Sequence, residues 1–280
     1  MAAEEIGYLA RESVARSRLP LGCVFQHYHH LSSVGLGQGS LPGNATLRRL
    51  QELPVVFALD RAGVVGQDGP THNGVFDIAY LRTLPGMTLC APRDETDMRR
   101  MLEACLRIDG PSALRFPRGN CPRDEVIHEG ERRSMEPGKA EVLRPGERVT
   151  IWAYGSMVST ALEVAARLDR RGLRVGVVDA RWAKPLDEEL LLEHIRSQRW
   201  IATLEDHQRS GGFGSALLEA WSRLALRGGE ERPARVKMFG IPDRFVEHMS
   251  SREEQLAALG LDADAVERSL TQLLSASRVG

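Results

Sequence analysis

None of the 280 residues falls in a run approaching the roughly 20 consecutive apolar residues that a membrane-spanning helix needs. No secretory leader is expected either. Glu4 and Glu5 stand where a basic start belongs, and no apolar middle follows. Charge of one sign is scarce too: the formal net charge is −1 with both signs interspersed, which offers a polyanion no face and argues against nucleic acid as a partner. Cys23, Cys90, Cys105 and Cys121 are scattered without C-x-x-C spacing, so the expectation is reduced thiols rather than a disulfide framework. What remains is the make-up of a globular, cytoplasmic enzyme, long enough for one large or two ordinary domains.

From residue 53 the chain alternates strand and helix patterns, which predicts a mostly parallel sheet with helices on both faces. A strand is expected over 53–59, a helix over 75–84, a short strand over 87–91 and a helix capped by Asp94 running to about 107. Asp109-Gly110-Pro111 turns the chain into a strand at 112–116. Residues 121–145 lose periodicity and gather charge, Gly and Pro, and they read as a linker with a short hairpin near 139–143. A second α/β unit follows, with strands at 149, 174–178, 200–204 and 236–239. Its helices are expected at 156–171, after Pro185-Leu186-Asp187, at 215–226 and twice near the end. The organisation expected is an atypical segment at 1–46, a first domain at 47–122, a linker at 123–146 and a second domain at 147–280.

An open parallel sheet binds ligands at the carboxyl ends of its strands. Two such ends here deliver Arg61 and Arg118, and the first adds Asp60, Asp68 and His72 within a glycine-punctuated loop. Arginine's planar fork matches phosphate oxygens and stays charged in a partly dry site. The pattern therefore points to a small phosphorylated, carbonyl-bearing substrate. Each residue has a plainer reading as well: an arginine after a strand is often a surface residue, and a loop aspartate often bonds its own backbone. Asp68 and His72 lack the third ligand that a metal site needs, so no metal is assigned. His27, His29 and His30 fit no metal-loop spacing, and Gly35, Gly37 and Gly39 lack the strand and helix of a dinucleotide fingerprint.

The words DRAG, VVG and QDGPTHNGVFD (60–77), then YLR and LRFPRGN (114–120), closely resemble the 1-deoxy-D-xylulose-5-phosphate synthase family of the transketolase superfamily. GSMVSTALEVAARL, VVDARWAKPLDEELL, TLEDHQRSGGFGSALLE and FGIPDRFVEHMS look like that family's C-terminal domain. The resemblance implies a two-domain α/β fold, a pyrimidine-binding transketolase-like domain incomplete at its start followed by a transketolase C-terminal domain. It implies thiamine diphosphate and Mg²⁺ as cofactors, pyruvate and glyceraldehyde 3-phosphate as substrates, and a homodimer. Arg61 and Arg118 would hold the aldehyde's phosphate. Asp68 and His72 would be catalytic, bonding its hydroxyl and relaying protons. Gly211, Gly212 and Gly214, with Glu205 and His248, would be structural.

The resemblance covers roughly residue 53 onward and not the beginning of the chain. Residues 21–44 carry no periodicity, Glu4 and Glu5 lie at the wrong distance for the family's cofactor-protonating glutamate, and no Gly-Asp-Gly word for a diphosphate–metal site occurs. A mis-set start or reading frame upstream of about residue 47 accounts for this. The expectation is a transferase fragment inactive on its own. The alternative is a pyrimidine-half or non-catalytic subunit that works with a separate diphosphate-binding chain.

Overall fold

The computed structural model describes residues 22–26, 54–118, 135–228 and 233–276. Glu4, Glu5, the three histidines at 27–30, the glycines at 35–39 and Cys121 lie outside the described residues. Two five-stranded sheets organise the rest. The first is built from β1 (Gly22–Gln26), β2 (Val55–Leu59), β3 (Thr88–Cys90), β4 (Ser112–Arg115) and β8 (Trp182–Lys184), in the order β1-β2-β4-β3-β8. The second takes β5 (Glu141–Arg144), β6 (Val149–Ala153), β7 (Val175–Asp179), β9 (Trp200–Gln208) and β10 (Arg235–Ile241), in the order β10-β9-β6-β7-β5. Among the described residues only β8 and β5, at the sheet edges, run antiparallel to their neighbours.

Seven helices cover these sheets among the described residues: α1 (Asp77–Leu81), α2 (Glu95–Cys105), α3 (Met157–Asp169), α4 (Glu188–Ser197), α5 (Phe213–Gly228), α6 (Arg252–Ala258) and α7 (Ala263–Ala276). The caps follow from the sequence. The Asp94 carboxylate accepts from Asp97 N, and that of Asp187 accepts from Leu190 N, each relieving a backbone donor left over in the first turn. In α2, Met98, Met101, Leu102 and Cys105 form the buried stripe. The central strands β2, β4, β6 and β7 are buried along their whole length, as parallel strands covered on both faces must be.

Four expectations need correction. The helix expected over 75–84 is only Asp77–Leu81: beyond it the chain tightens, Leu84 N donating to Leu81 O at 3.1 Å, and the carbonyls of Arg82 and Leu84 accept from Lys184 Nζ at 2.8 and 2.5 Å. The hairpin expected near 139–143 does not form. Residues 141–144 are β5, which pairs with β7 instead of folding back on its own neighbours. The segment read as aperiodic contains β1, which lies parallel to β2. Finally β8, not foreseen at all, leaves the second half of the chain to pair with β3.

The two halves share one core. Phe57, Leu59, Ile78 and Leu89 from the first pack in one buried cluster with Trp152, Tyr154, Phe213 and Leu217 from the second. The Tyr154 and Phe213 rings stack with centroids 5.1 Å apart. Cys90 and Cys105 are buried free thiols with sulfurs 3.5 Å apart.

Candidate functional site

Register places the site. Leu59 at the end of β2 is paired with Arg115 at the end of β4, so the loops that follow leave the sheet side by side. Phe116 N donates to Leu59 O at 3.0 Å and Ala62 N to Phe116 O at 2.9 Å, stitching the two exits together. Arg61 and Arg118 are therefore neighbours by topology, although far apart in sequence.

Both converge on Asp68. Arg61 Nε donates to its Oδ2 at 3.0 Å, and Arg118 Nη1 donates to its Oδ1. Arg61 Nη1 also reaches Asp60 Oδ2 at 2.9 Å, while Asp60 Oδ1 accepts from Arg61 N at 2.7 Å. That last bond helps hold Arg61 at φ +61°, a left-handed conformation that costs a non-glycine residue about 1–2 kcal/mol. Strain of this kind concentrates where a side chain must be aimed. Arg118 stays open, with 47% of its side chain exposed. Burial alone would raise the Asp68 carboxyl, but the hydrogen bond from Arg61 and the charges of Arg118, Arg61 and His72 hold it below the usual carboxylate value.

Asp68 ends one single-turn 3-10 helix, Gly66–Asp68, and His72 ends the next, Pro70–His72. His72 is half-buried, with Nδ1 3.2 Å from Thr71 Oγ1. The loop closes on itself where Gly63 and Gly74 exchange N–H···O bonds of 2.9 Å in both directions. A side chain at Gly74 would put Cβ 2.4 Å from Arg61 O, so glycine is required for that closure. All four sequence-derived residues thus lie on two adjoining loops.

Behind the loops lies a buried charged network, of which the sequence pointed to Glu205 alone and as structural. Arg115 Nε donates to Asp77 Oδ2 at 2.8 Å, Nη1 to Asp206 Oδ1 at 3.4 Å and Nη2 to Gly74 O at 3.2 Å. Arg252 Nη2 donates to Asp206 Oδ2 at 2.6 Å and to Ser156 Oγ at 2.8 Å. Burial would raise Asp206, yet Arg252 and Arg115 bring it down to about 2. His207 is pushed down to about 4, mainly by burial. Its neutral Nε2 accepts from Ile78 N at 3.1 Å, and its Nδ1 lies 2.9 Å from Gln208 O. Glu205 is pushed up to about 8, because burial outweighs the N–H donors of Gly214 and Phe213 at 2.8 and 2.6 Å. A side chain at Gly212 would meet the Glu205 carboxylate at 2.3 Å, which ties the glycine word to packing within the chain. The available sequence signal was a polar Glu-Asp-His-Gln run continuing an apolar strand.

The transketolase pyrimidine-binding domain matches residues 39–123, and the transketolase C-terminal domain matches residues 138–266. The 1-deoxy-D-xylulose-5-phosphate synthase 1 of Geobacter sulfurreducens is 47% identical over 230 residues, covering 81% of this chain and 34% of the relative. The synthase of Synechococcus elongatus is 45% identical over 232 residues, covering 82% and 35%. Among solved structures, a split-gene transketolase described as an inactive beta4 tetramer is 30% identical with a TM-score of 0.74, and the match covers 98% of this chain and 82% of that one. The chain belongs to the transketolase family. A transketolase from Campylobacter jejuni shares the fold at a TM-score of 0.64 and 18% identity, covering 89% of this chain and 35% of that one. The chain spans about a third of the length of the synthases it matches.

Membership of the transketolase family implies thiamine diphosphate and a divalent metal. The donor set for their diphosphate–metal end does not fit what is present. Among the described residues no group of three or more His, Cys, Asp or Glu side chains is placed to hold a metal, and the sequence has no Gly-Asp-Gly word. Asp68 and His72 lie in the loop after β2, with Asp68 already engaged by two guanidinium groups. Among the described residues no helix is long and apolar enough to cross a membrane.

Proposed function

We propose that this chain supplies the acceptor side of a transferase of the 1-deoxy-D-xylulose-5-phosphate synthase type, which joins pyruvate to glyceraldehyde 3-phosphate with release of CO₂. The convergence of Arg61 and Arg118 on Asp68, at paired strand ends, carries the reading. A guanidinium has five N–H donors, so one that engages Asp68 can also donate to phosphate. Asp68 holds two like charges together while the phosphate approaches from the side on which Arg118 is open. As the new carbon–carbon bond forms, the aldehyde oxygen becomes a hydroxyl and takes up a proton. An imidazole on the same loop, His72, suits that transfer. Arg61→Ala or Arg118→Ala should weaken glyceraldehyde 3-phosphate by about 2–5 kcal/mol where the pair is desolvated. Lysine should restore only part, having no paired geometry. Unchanged affinity in both alanine variants would remove the clamp.

A second element concerns how turnover is reached. The likeness to a split-gene transketolase and the poor fit to a diphosphate–metal site support a chain that works with a diphosphate-binding half supplied separately. Purified chain given pyruvate, glyceraldehyde 3-phosphate, thiamine diphosphate and Mg²⁺ should release no CO₂ above a protein-free blank. Turnover by the chain alone refutes this.

A further inference from the structure

The loop that carries Asp68 is not held by its own half of the molecule alone. Gln255, on α6, is fully buried and uses both ends of its amide. Oε1 accepts from Gly66 N at 2.6 Å, and Nε2 donates to Glu247 O at 2.9 Å. Beside it Arg252 Nη1 donates to Val64 O at 2.8 Å. Between these bonds, Val65 N donates to Asn73 Oδ1 at 3.0 Å. The approach is close enough to exclude a side chain. Gly66 sits at φ +64°, and a Cβ there would lie 2.8 Å from both Arg252 N and Ser251 C. Gly66 begins the single turn that ends at Asp68, so fixing the Gly66 amide fixes the direction in which that carboxylate leaves the loop.

We propose that Gln255 is a positioning residue for phosphate recognition: from the far half of the chain it sets where Asp68 stands, and thereby where Arg61 and Arg118 meet. The inference rests on the reading of those arginines as a phosphate clamp. Gln255 touches neither the arginines nor substrate. It acts through one backbone N–H. With that acceptor removed, a buried donor loses its partner, and the turn relieves this by moving. A shift of under an ångström is enough to separate two guanidinium groups that share one carboxylate.

Two measurements on the full chain separate this inference from the clamp it depends on. Amide hydrogen exchange over 63–68 reads the brace directly. Gln255→Met, similar in size but without an acceptor, should speed exchange at Gly66, and Gln255→Glu, which keeps the acceptor and in its protonated form also the donor to Glu247 O, should restore protection. Titration with glyceraldehyde 3-phosphate, with inorganic phosphate as a second probe, reads the clamp. The Met variant should bind about tenfold more weakly, matching the lower part of the cost of an unsatisfied buried donor, while the Glu variant binds near the parental level. A melting temperature close to the parent's in the Met variant shows that the fold survives. If Met leaves exchange and affinity unchanged while Arg61→Ala abolishes binding, Gln255 is no positioning residue and the clamp stands. If the parent shows no Arg61-dependent binding, the clamp falls and the role given to Gln255 falls with it. Should the Met variant fail to fold, Gln255→Asn, polar but too short to reach Gly66 N, decides: faster exchange at Gly66 with weaker binding supports the role, and faster exchange with parental affinity overturns it.

Discussion

Asp68 offers one carboxylate oxygen to Arg61 and the other to Arg118, so a single anion holds together two cations that would otherwise repel. Asp68→Ala should therefore let the arginines part and weaken phosphate-ester binding by about 1.5–3 kcal/mol, the range for hydrogen bonds to charged groups. Asp68→Asn retains one acceptor oxygen and should fall between. The carboxyl is held below its ordinary value of 3.8, so its contribution to stability is full above that value and is lost only as pH falls through the lower folded value. Calorimetric titration of glyceraldehyde 3-phosphate checks the order parent, Asn, Ala. Equal affinities would remove Asp68 from the clamp.

A second carboxylate cluster joins the two halves and behaves in the opposite sense. Arg93 Nη1 contacts Asp179 Oδ2 at 3.0 Å, and Arg93 Nε lies 3.4 Å from Asp97 Oδ2, with Arg181 and Glu141 closing the group. Burial first, then the charge of Asp179, pushes Asp97 up to about 8. A raised carboxyl keeps its proton in the fold after the unfolded chain has lost it. Stability from this group is thus complete below 3.8 and declines as pH rises to about 8. Asp97→Asn should flatten the dependence of melting temperature on pH between pH 5 and 8. A slope unchanged from the parent would show that another group is responsible.

Arg115 is the third test. It is buried against Asp77 and Asp206, with its guanidinium carbon 5.8 Å from the Tyr154 ring centroid. Arg115→Met leaves Asp77 as a buried charge without its cation, which typically costs about 3–5 kcal/mol. Adding Asp77→Asn should recover part of the loss, because the orphaned charge goes as well. Urea unfolding midpoints of the parent, single and double variants measure the recovery. Additive losses would mean that the two side chains are not energetically coupled.

Much of this was open to inspection in the sequence. The strands expected at 53–59 and 112–116, the Asp94 cap and the alternation of elements all follow from local pattern and turn chemistry. Arg61, Asp68, His72 and Arg118 were visible because motif words place them after strands, and the structure brings them onto adjoining loops. Longer-range cooperation was not visible. Trp182–Lys184 is too short to show a strand period, and it becomes one only because β3 offers an edge. Glu205, Asp206 and His207 lie beyond the strand expected at 200–204, yet each is buried because its partners arrive from other elements: the α5 backbone, Arg252 with Arg115, and the amide of Ile78. Gln255 looks like any polar helix residue until Gly66 is set against it.

The strand β8 has a consequence for how the polypeptide comes into being. Leu89 and Cys90 in β3 are matched with Lys184 and Trp182, so one border of the first sheet is sealed by residues from the second half of the chain. Synthesis runs from the amino end, and everything through β4 leaves the ribosome while that border is bare. An uncovered strand with a buried-type sequence readily pairs with another molecule. Pairing with β8 is thus the contact that covers this border, and it forms only once residues 182–184 have been made.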